Sequence, residues 1–153
     1  MTVVERSLFD DVAHALRGIL PAGSEPAHVT YHRYGIKVWL GSDRPAREHY
    51  EGQVIGRQYC PGARVLAIEV GFHSEHPKET DNDEVIARMR RSEKKWRRAL
   101  GDDAVVGPFL GRAEHWRRVS ETWPDPDLGD PELVFQLAGR LNDYIQALEP
   151  YRT

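Results

Sequence analysis

Apolar and polar positions alternate most regularly over residues 64–76. In an extended chain, Leu66, Ile68, Val70 and Phe72 line one face and Ala67, Glu69, Gly71 and His73 the other. A strand of this kind needs partners on both edges, so it is predicted to be the centre of a sheet with one buried face and one partly polar face. Residues 29–40, rich in aromatic and β-branched side chains, read as the first strand. Ile36, Val38 and Leu40 fall on one side, and Arg33, Lys37 and Trp39 on the other. Residues 47–55 read as a second strand, because Gly52 and the short length disfavour a helix. Val105, Val106, Phe109 and Leu110, broken by Pro108, predict a short edge strand. Residues 113–123 are assigned as a fifth strand, although Trp116, Val119 and Trp123 also fit helical spacing.

Three stretches carry the helical period instead. Leu8, Val12, Leu16 and Ile19 recur on one stripe after Ser7, a candidate cap, and the stripe stops at Pro21 and Gly23. Asp81 and Glu84 have the spacing of a capping box for a middle helix that buries Val85, Met89, Trp96 and Leu100 and ends at Gly101. Asp130 caps a last helix with Pro131 at its first position. Its stripe is Val134, Leu137, Leu141, Ile145 and Leu148, and Pro150 is expected to end it. Residues 21–26, 41–45, 60–62 and 124–129 are loops or turns. The resulting order, α-β-β-β-α-β-β-α, predicts an α+β domain. A mostly antiparallel sheet of about five strands would have its helices packed on one face.

Length and composition keep that picture to one domain over residues 1–153, since 40% hydrophobic residues suffice for an ordinary core. A formal charge of −3 and a pI near 6.2 argue against a protein coated in positive charge for nucleic acid or membranes. Residues 1–6 lack the features of a signal peptide, and no window approaches ~18 apolar residues, so a cytoplasmic location is expected. The single Cys60, beside Pro61, excludes an internal disulfide and a cysteine-rich zinc site and reads as a free thiol at a turn.

Four groups of residues carry candidate chemistry. The middle helix places seven cations in eleven residues, among them Arg88, Arg91, Lys94, Lys95 and Arg98, opposite its apolar stripe. Such a face gains affinity for phosphates by releasing their counterions. On the sheet, Glu51 and Glu69 can share a side with Lys37 and Arg33, a set suited to a divalent metal acting on a phosphodiester. The third group, His73-Ser74-Glu75-His76, has the residue types of metal ligands. Only a bend after His73 would gather His73, Glu75 and His76, with His49 as the one further ligand nearby. Glu69 and His73 would stand about 13 Å apart along a strand, too far to share an ion. The fourth group is aromatic. Trp39, Trp116, Trp123 and four tyrosines lie beside Arg112, Arg117 and Arg118 in a possible stacking platform, while Trp96 is assigned to the core.

The element order over about the first 110 residues resembles the core of the restriction-endonuclease-like nucleases. In the diagnostic acid-x-Lys position the chain has Glu69-Val70-Gly71, without the lysine and without a preceding Pro-Asp. Motifs for activated serine nucleophiles, phosphate loops and His-Glu-x-x-His metal sites are absent. The leading expectation is therefore a non-catalytic interaction module with no metal and no cofactor. It would bind protein or nucleic acid through the basic helix and the segment containing Arg117 and Arg118. The enzymatic alternative is a divergent metal-dependent nuclease using Glu51, Glu69 and Lys37. A third is a homodimer formed through the polar sheet face, burying Trp39.

Overall fold

A computed structural model of the chain describes residues 4, 7–22, 27–41 and 46–153. The expected loop at 23–26, the turn at 42–45 and most of the N-terminal stretch 1–6 lie outside the described residues.

Among the described residues four α-helices and six strands follow one another. Helix α1 (Leu8–Ile19) is followed by β1 (Ala27–His32), β2 (Gly35–Leu40), β3 (Glu48–Gly56) and β4 (Leu66–Ser74). Then come α2 (Glu79–Arg90), α3 (Glu93–Leu100), β5 (Val105–Pro108), β6 (Arg117–Pro124) and α4 (Glu132–Arg152). The strands form one sheet in the order β1-β2-β3-β4-β6-β5. Every pairing is antiparallel, and β4 sits inside the sheet between β3 and β6. The α+β class with helices against an antiparallel sheet holds.

The sixth strand arises because residues 29–40 fold back as a hairpin. His32 faces Gly35 across the Arg33-Tyr34 turn, so Val29 and Val38 pair on the same face although one is odd and the other even. That change of parity is the sequence trace of the turn, and Arg33 lies in the turn rather than on the sheet. The middle helix divides into α2 and α3 at Arg91-Ser92. The carbonyl of Met89 takes its hydrogen bonds from the Ser92 N–H and the Trp96 indole N–H, each at 3.0 Å, instead of from the next helical turn. This bend buries Trp96 and Met89 together. Helix α2 starts at Glu79, and no side chain caps it, so Asp81 lies within the first turn and no capping box forms. The last strand begins at Arg117, leaving 109–116 as a loop. Pro150 does not end α4, which continues to Arg152. Arg152 anchors that turn through Glu149 and Glu48. The Asp130 carboxylate accepts the Glu132 N–H at 3.0 Å, as expected of a cap.

The main core lies between the sheet and the helices. Ile36, Val38, Tyr50, Ile68, Val70, Phe72 and Val119 meet Leu8, Phe9, Leu16, Met89, Leu137, Leu141 and Leu148. Helix α4 comes close enough to β3 that a Cβ on Gly52 would lie 3.3 Å from Leu137 Cδ1. The other sheet face was expected to be partly polar, and it is polar but also covered. Ile55, Ala67 and Cys60 form a small second core with Tyr59, Ala63 and Leu110, and the Phe109 ring sits edge-on to His73 at 5.0 Å. Loops on both sides of β4 therefore seal the polar groups of its outer face.

Candidate metal centre

Strand register gathers that buried polar face. His49 lies opposite His73, Glu51 opposite Gly71 and Gln53 opposite Glu69 across β3 and β4. Lys37 of β2 lies opposite Glu51, while Arg118 and Ser120 of β6 lie opposite His73 and Gly71. All these side chains share the face turned away from the helices, because strand side chains alternate. Gly71 makes the crowding possible. A Cβ there would fall on Val119 O and 2.6 Å from Ser120 Cα, at a φ of +154°. Its bare backbone leaves room for Glu69 and His73 to lean toward each other, and Glu69 Oε2 meets His73 Nε2 at 3.0 Å. The 13 Å expected from Cα spacing is thus closed by two long side chains.

Glu75, just beyond β4, brings the last group. Its backbone N–H donates to Arg47 O at 2.7 Å, and the segment behind it is held by Asn82 of α2. The Asn82 amide accepts from the Ser74 hydroxyl and the His76 N–H and donates to the carbonyls of His76 and His115. Those four bonds fill the amide's hydrogen-bonding capacity. Asn82→Ala is expected to destabilise the protein by about 2 kcal/mol, since it strands several buried partners. Urea unfolding followed by tryptophan fluorescence measures the loss.

Four ligand atoms converge. His49 Nε2 lies 2.9 Å from Glu51 Oε1 and 3.3 Å from Glu75 Oε2. His73 Nδ1 lies 3.2 Å from each of the same two oxygens. All four atoms fall within 4.8 Å of one another. Donors about 2.0–2.1 Å from one ion are separated by about 2.8–3.0 Å in adjoining octahedral positions and about 3.3–3.4 Å in tetrahedral ones, a span that contains the four contacts. His73 is 0% exposed and the Glu75 side chain 12%.

The outer nitrogens fix the tautomers. His49 Nδ1 lies 3.1 Å from the Ala46 carbonyl, which only accepts, so Nδ1 carries a hydrogen and, in the neutral ring, Nε2 presents a lone pair inward. His73 Nε2 donates to Glu69, a carboxylate–histidine pairing that leaves Nδ1 facing Glu51 and Glu75. Glu69 is held in turn by the Ser120 hydroxyl at 2.6 Å and by Gln53 at 2.8 Å. Two lone pairs and two carboxylates pointing at one spot repel unless a proton or a cation sits among them. With neutral imidazoles the four donors carry a charge of −2, equal and opposite to a divalent ion, and Glu69 has Arg118 as its countercharge.

Without an ion, protons take that place. Burial lowers the His73 pKa, but the Glu69 charge and hydrogen bonds to Glu51, Glu69 and Glu75 outweigh it and raise the value well above 6.5. Burial raises the Glu75 carboxyl, and contacts with His49 and His73 override it, bringing it to about 2. Glu51 and Glu69 shift down for the same reason. The raised histidine contributes stability below about pH 6.5 that is lost as pH rises through its folded value. The lowered carboxylates contribute above about pH 4.5 and lose it as pH falls toward 2. The metal-free protein is therefore expected to melt highest between about pH 4.5 and 6.5. Zn2+ should stabilise it more at pH 8 than at pH 5.5, because the ion needs neutral imidazoles. Calorimetry across that range checks both.

Of the residues singled out in the sequence, the structure brings His73 and Glu75 together and sends His76 elsewhere, to Glu48 at 2.7 Å. Glu51 and Glu69 contact opposite nitrogens of one imidazole, so they do not share an ion, and Lys37 Nζ stands 4.0 Å from Glu51. Arg88 donates to the Arg152 carbonyl. Arg117 pairs with Glu79 and Asp83, and Arg118 is buried against Ser120 and Pro108. Neither of these last two arginines forms an open stacking platform. Arg91, Lys94, Lys95 and Arg98 are exposed. Trp39 is 5% exposed within the single chain, which removes its part in the dimer argument. His49 and Asn82 are the contributors to the centre that sequence spacing left at its margin or missed, whereas Glu51 was singled out as a metal ligand but with Glu69 in place of His73 and Glu75. The signal available was the shared parity of His49 and Glu51 on β3.

A cleft of about 760 Å³ opens onto the centre, lined by His49 and Glu75 together with Thr30, Lys37, Arg47 and Trp116. No protein-family model, curated protein or solved structure matches the chain. Among the described residues no helix is long and apolar enough to cross a membrane.

Proposed function

We propose that the protein holds one divalent transition-metal ion between His49, Glu51, His73 and Glu75 and uses it as a Lewis acid on a small molecule in the adjoining cleft. The observation that carries this reading is the ring of four contacts of 2.9–3.3 Å among inward-facing donors whose outer imidazole nitrogens are already committed. Imidazole and carboxylate donors without thiolate suit zinc, manganese or iron(II). Such an ion polarises a carbonyl or phosphoryl oxygen and lowers the pKa of bound water, which suits hydrolysis without a further cofactor. The residues divide the remaining work. His49, Glu51 and His73 are fixed by paired strands, Glu69 orients His73, and Glu75 stands at the cleft on a loop. This reading keeps the expected roles of Glu51 as a ligand and Lys37 as a neighbour, but moves Glu69 one layer out. Elemental analysis of protein stripped with chelator and reloaded tests it. The wild type is expected to retain about one ion per chain, and Glu69→Gln to weaken retention about 10- to 100-fold. Retention no better in the wild type than in a folded Glu51→Gln variant contradicts the reading.

A second reading has its own support. Arg91, Lys94, Lys95 and Arg98 are exposed and make no ion pair among the described residues, which suits an acidic protein or nucleic-acid partner. They lie in the helix layer, across the sheet from the cleft, so the two readings are independent. Both assume a cytoplasmic setting. Fluorescence anisotropy with labelled oligonucleotides is expected to show binding that falls with salt. Changing Arg91→Ala and Lys95→Ala together should reduce the salt slope by about 2. Absence of binding at low salt removes the nucleic-acid version.

A further inference from the structure

The geometry points to an organic oxyanion, a carboxylate or phosphate carried on a flat apolar body, as the ligand of the cleft beside the metal centre. This rests on the metal reading above and adds the substrate class. Charge decides it first. A divalent ion would satisfy Glu51 and Glu75, and Glu69 already has Arg118, so among the described residues no acidic group lining the cleft is left to balance Lys37 and Arg47. Lys37 is 4.0 Å from Glu51, with its side chain 44% exposed. Once the ion takes the Glu51 charge, that ammonium has no other ion-pair partner among the described residues and can turn into the cleft. Arg47, exposed and two residues before the ligand His49 in sequence, lines the same cleft.

Position supports the same assignment. His49 and Glu75 form the boundary between centre and cleft, whereas His73 lies behind them at 0% exposure. An added ligand oxygen would therefore approach the ion from the cleft side, with Lys37 and Arg47 around it. Trp39 and Trp116 supply flat apolar wall, and Thr30 and His32 supply polar edge. A volume of about 760 Å³ is in the range that encloses most of a small organic molecule. A neutral molecule would leave both cations lining the cleft without a counterion among the described residues.

Cobalt(II) replaces zinc as a visible probe in the full-length protein. Benzoate and phenyl phosphate are titrated separately, with benzamide as the uncharged control. The expected result is a change in the cobalt absorption band with at least one of the two anions and none with benzamide at equal concentration. The anion that acts identifies the headgroup. Arg47→Met and Lys37→Met should each bind cobalt as the wild type does, yet weaken anion binding about tenfold or more. If cobalt binds with its usual ligand-field band but neither anion perturbs it, or benzamide does so equally, the oxyanion assignment is overturned while the metal reading stands. If the protein takes up no cobalt, both fall together.

Discussion

Metal-free protein given excess Zn2+ at pH 7.5 is expected to melt about 5 to 16 °C higher, and His49→Ala is expected to lose nearly all of that gain. The size follows from mass action. An ion that binds only the folded state stabilises it by about 2.7 kcal/mol at 100 times its dissociation constant and about 4.1 kcal/mol at 1,000 times. Each kcal/mol moves the midpoint of a domain this size by about 2–4 °C. His49 is the informative position. Its ring is held by the Ala46 carbonyl and by two of the proposed ligands, so its removal takes away one donor while Glu69 and His73 keep each other. His73→Ala would leave Glu69 buried without its main partner and lower the melting temperature even before metal is added. Differential scanning fluorimetry with Zn2+, Mn2+ and Mg2+ measures the effect. Mg2+, which prefers oxygen ligands in octahedral geometry, should do least.

Gly71→Ala carries the other large effect. The new methyl group would fall on the Val119 carbonyl and 2.6 Å from Ser120 Cα, both backbone atoms of the neighbouring strand. The residue also has a φ of +154°, which side chains disfavour. Strain and overlap together are expected to cost roughly 3 to 5 kcal/mol. That lowers the melting midpoint by about 6 to 20 °C. Because β4 and β6 would have to separate at the point where Ser120 meets Glu69, the substitution should also weaken metal binding through His73. Chemical denaturation paired with a zinc titration reads both. A variant with wild-type stability would show that the two strands do not approach as closely as described.

The central strand was legible because Leu66, Ile68, Val70 and Phe72 alternate without interruption, and the α4 stripe because Leu137, Leu141, Ile145 and Leu148 keep a steady helical period. The hairpin at Arg33-Tyr34 left only the change of parity between Val29 and Val38 as its trace, since its two turn residues are neither glycine nor asparagine. Nor was the split of the middle helix. It depends on the Trp96 indole reaching back to the Met89 carbonyl, a tertiary contact. The centre was half legible. His73 and Glu75 announced themselves by residue type, but the reach of a side chain along a strand hid the Glu69–His73 contact. Register between β3 and β4, which decides that His49 faces His73, is not encoded in either strand alone. The polar face looked like an open surface because nothing in strand periodicity reports that Phe109, Leu110 and the residues around Cys60 fold over it.

X-ray absorption at the zinc edge of the reloaded protein tests the central claim most directly. The account predicts one zinc per chain surrounded by nitrogen and oxygen at about 2.0–2.2 Å, with imidazole scattering from two histidines and no sulfur. A sulfur neighbour at about 2.3 Å would move the ion to Cys60, and a folded protein that retains no zinc would mean that protons alone hold His49, Glu51, His73 and Glu75 together.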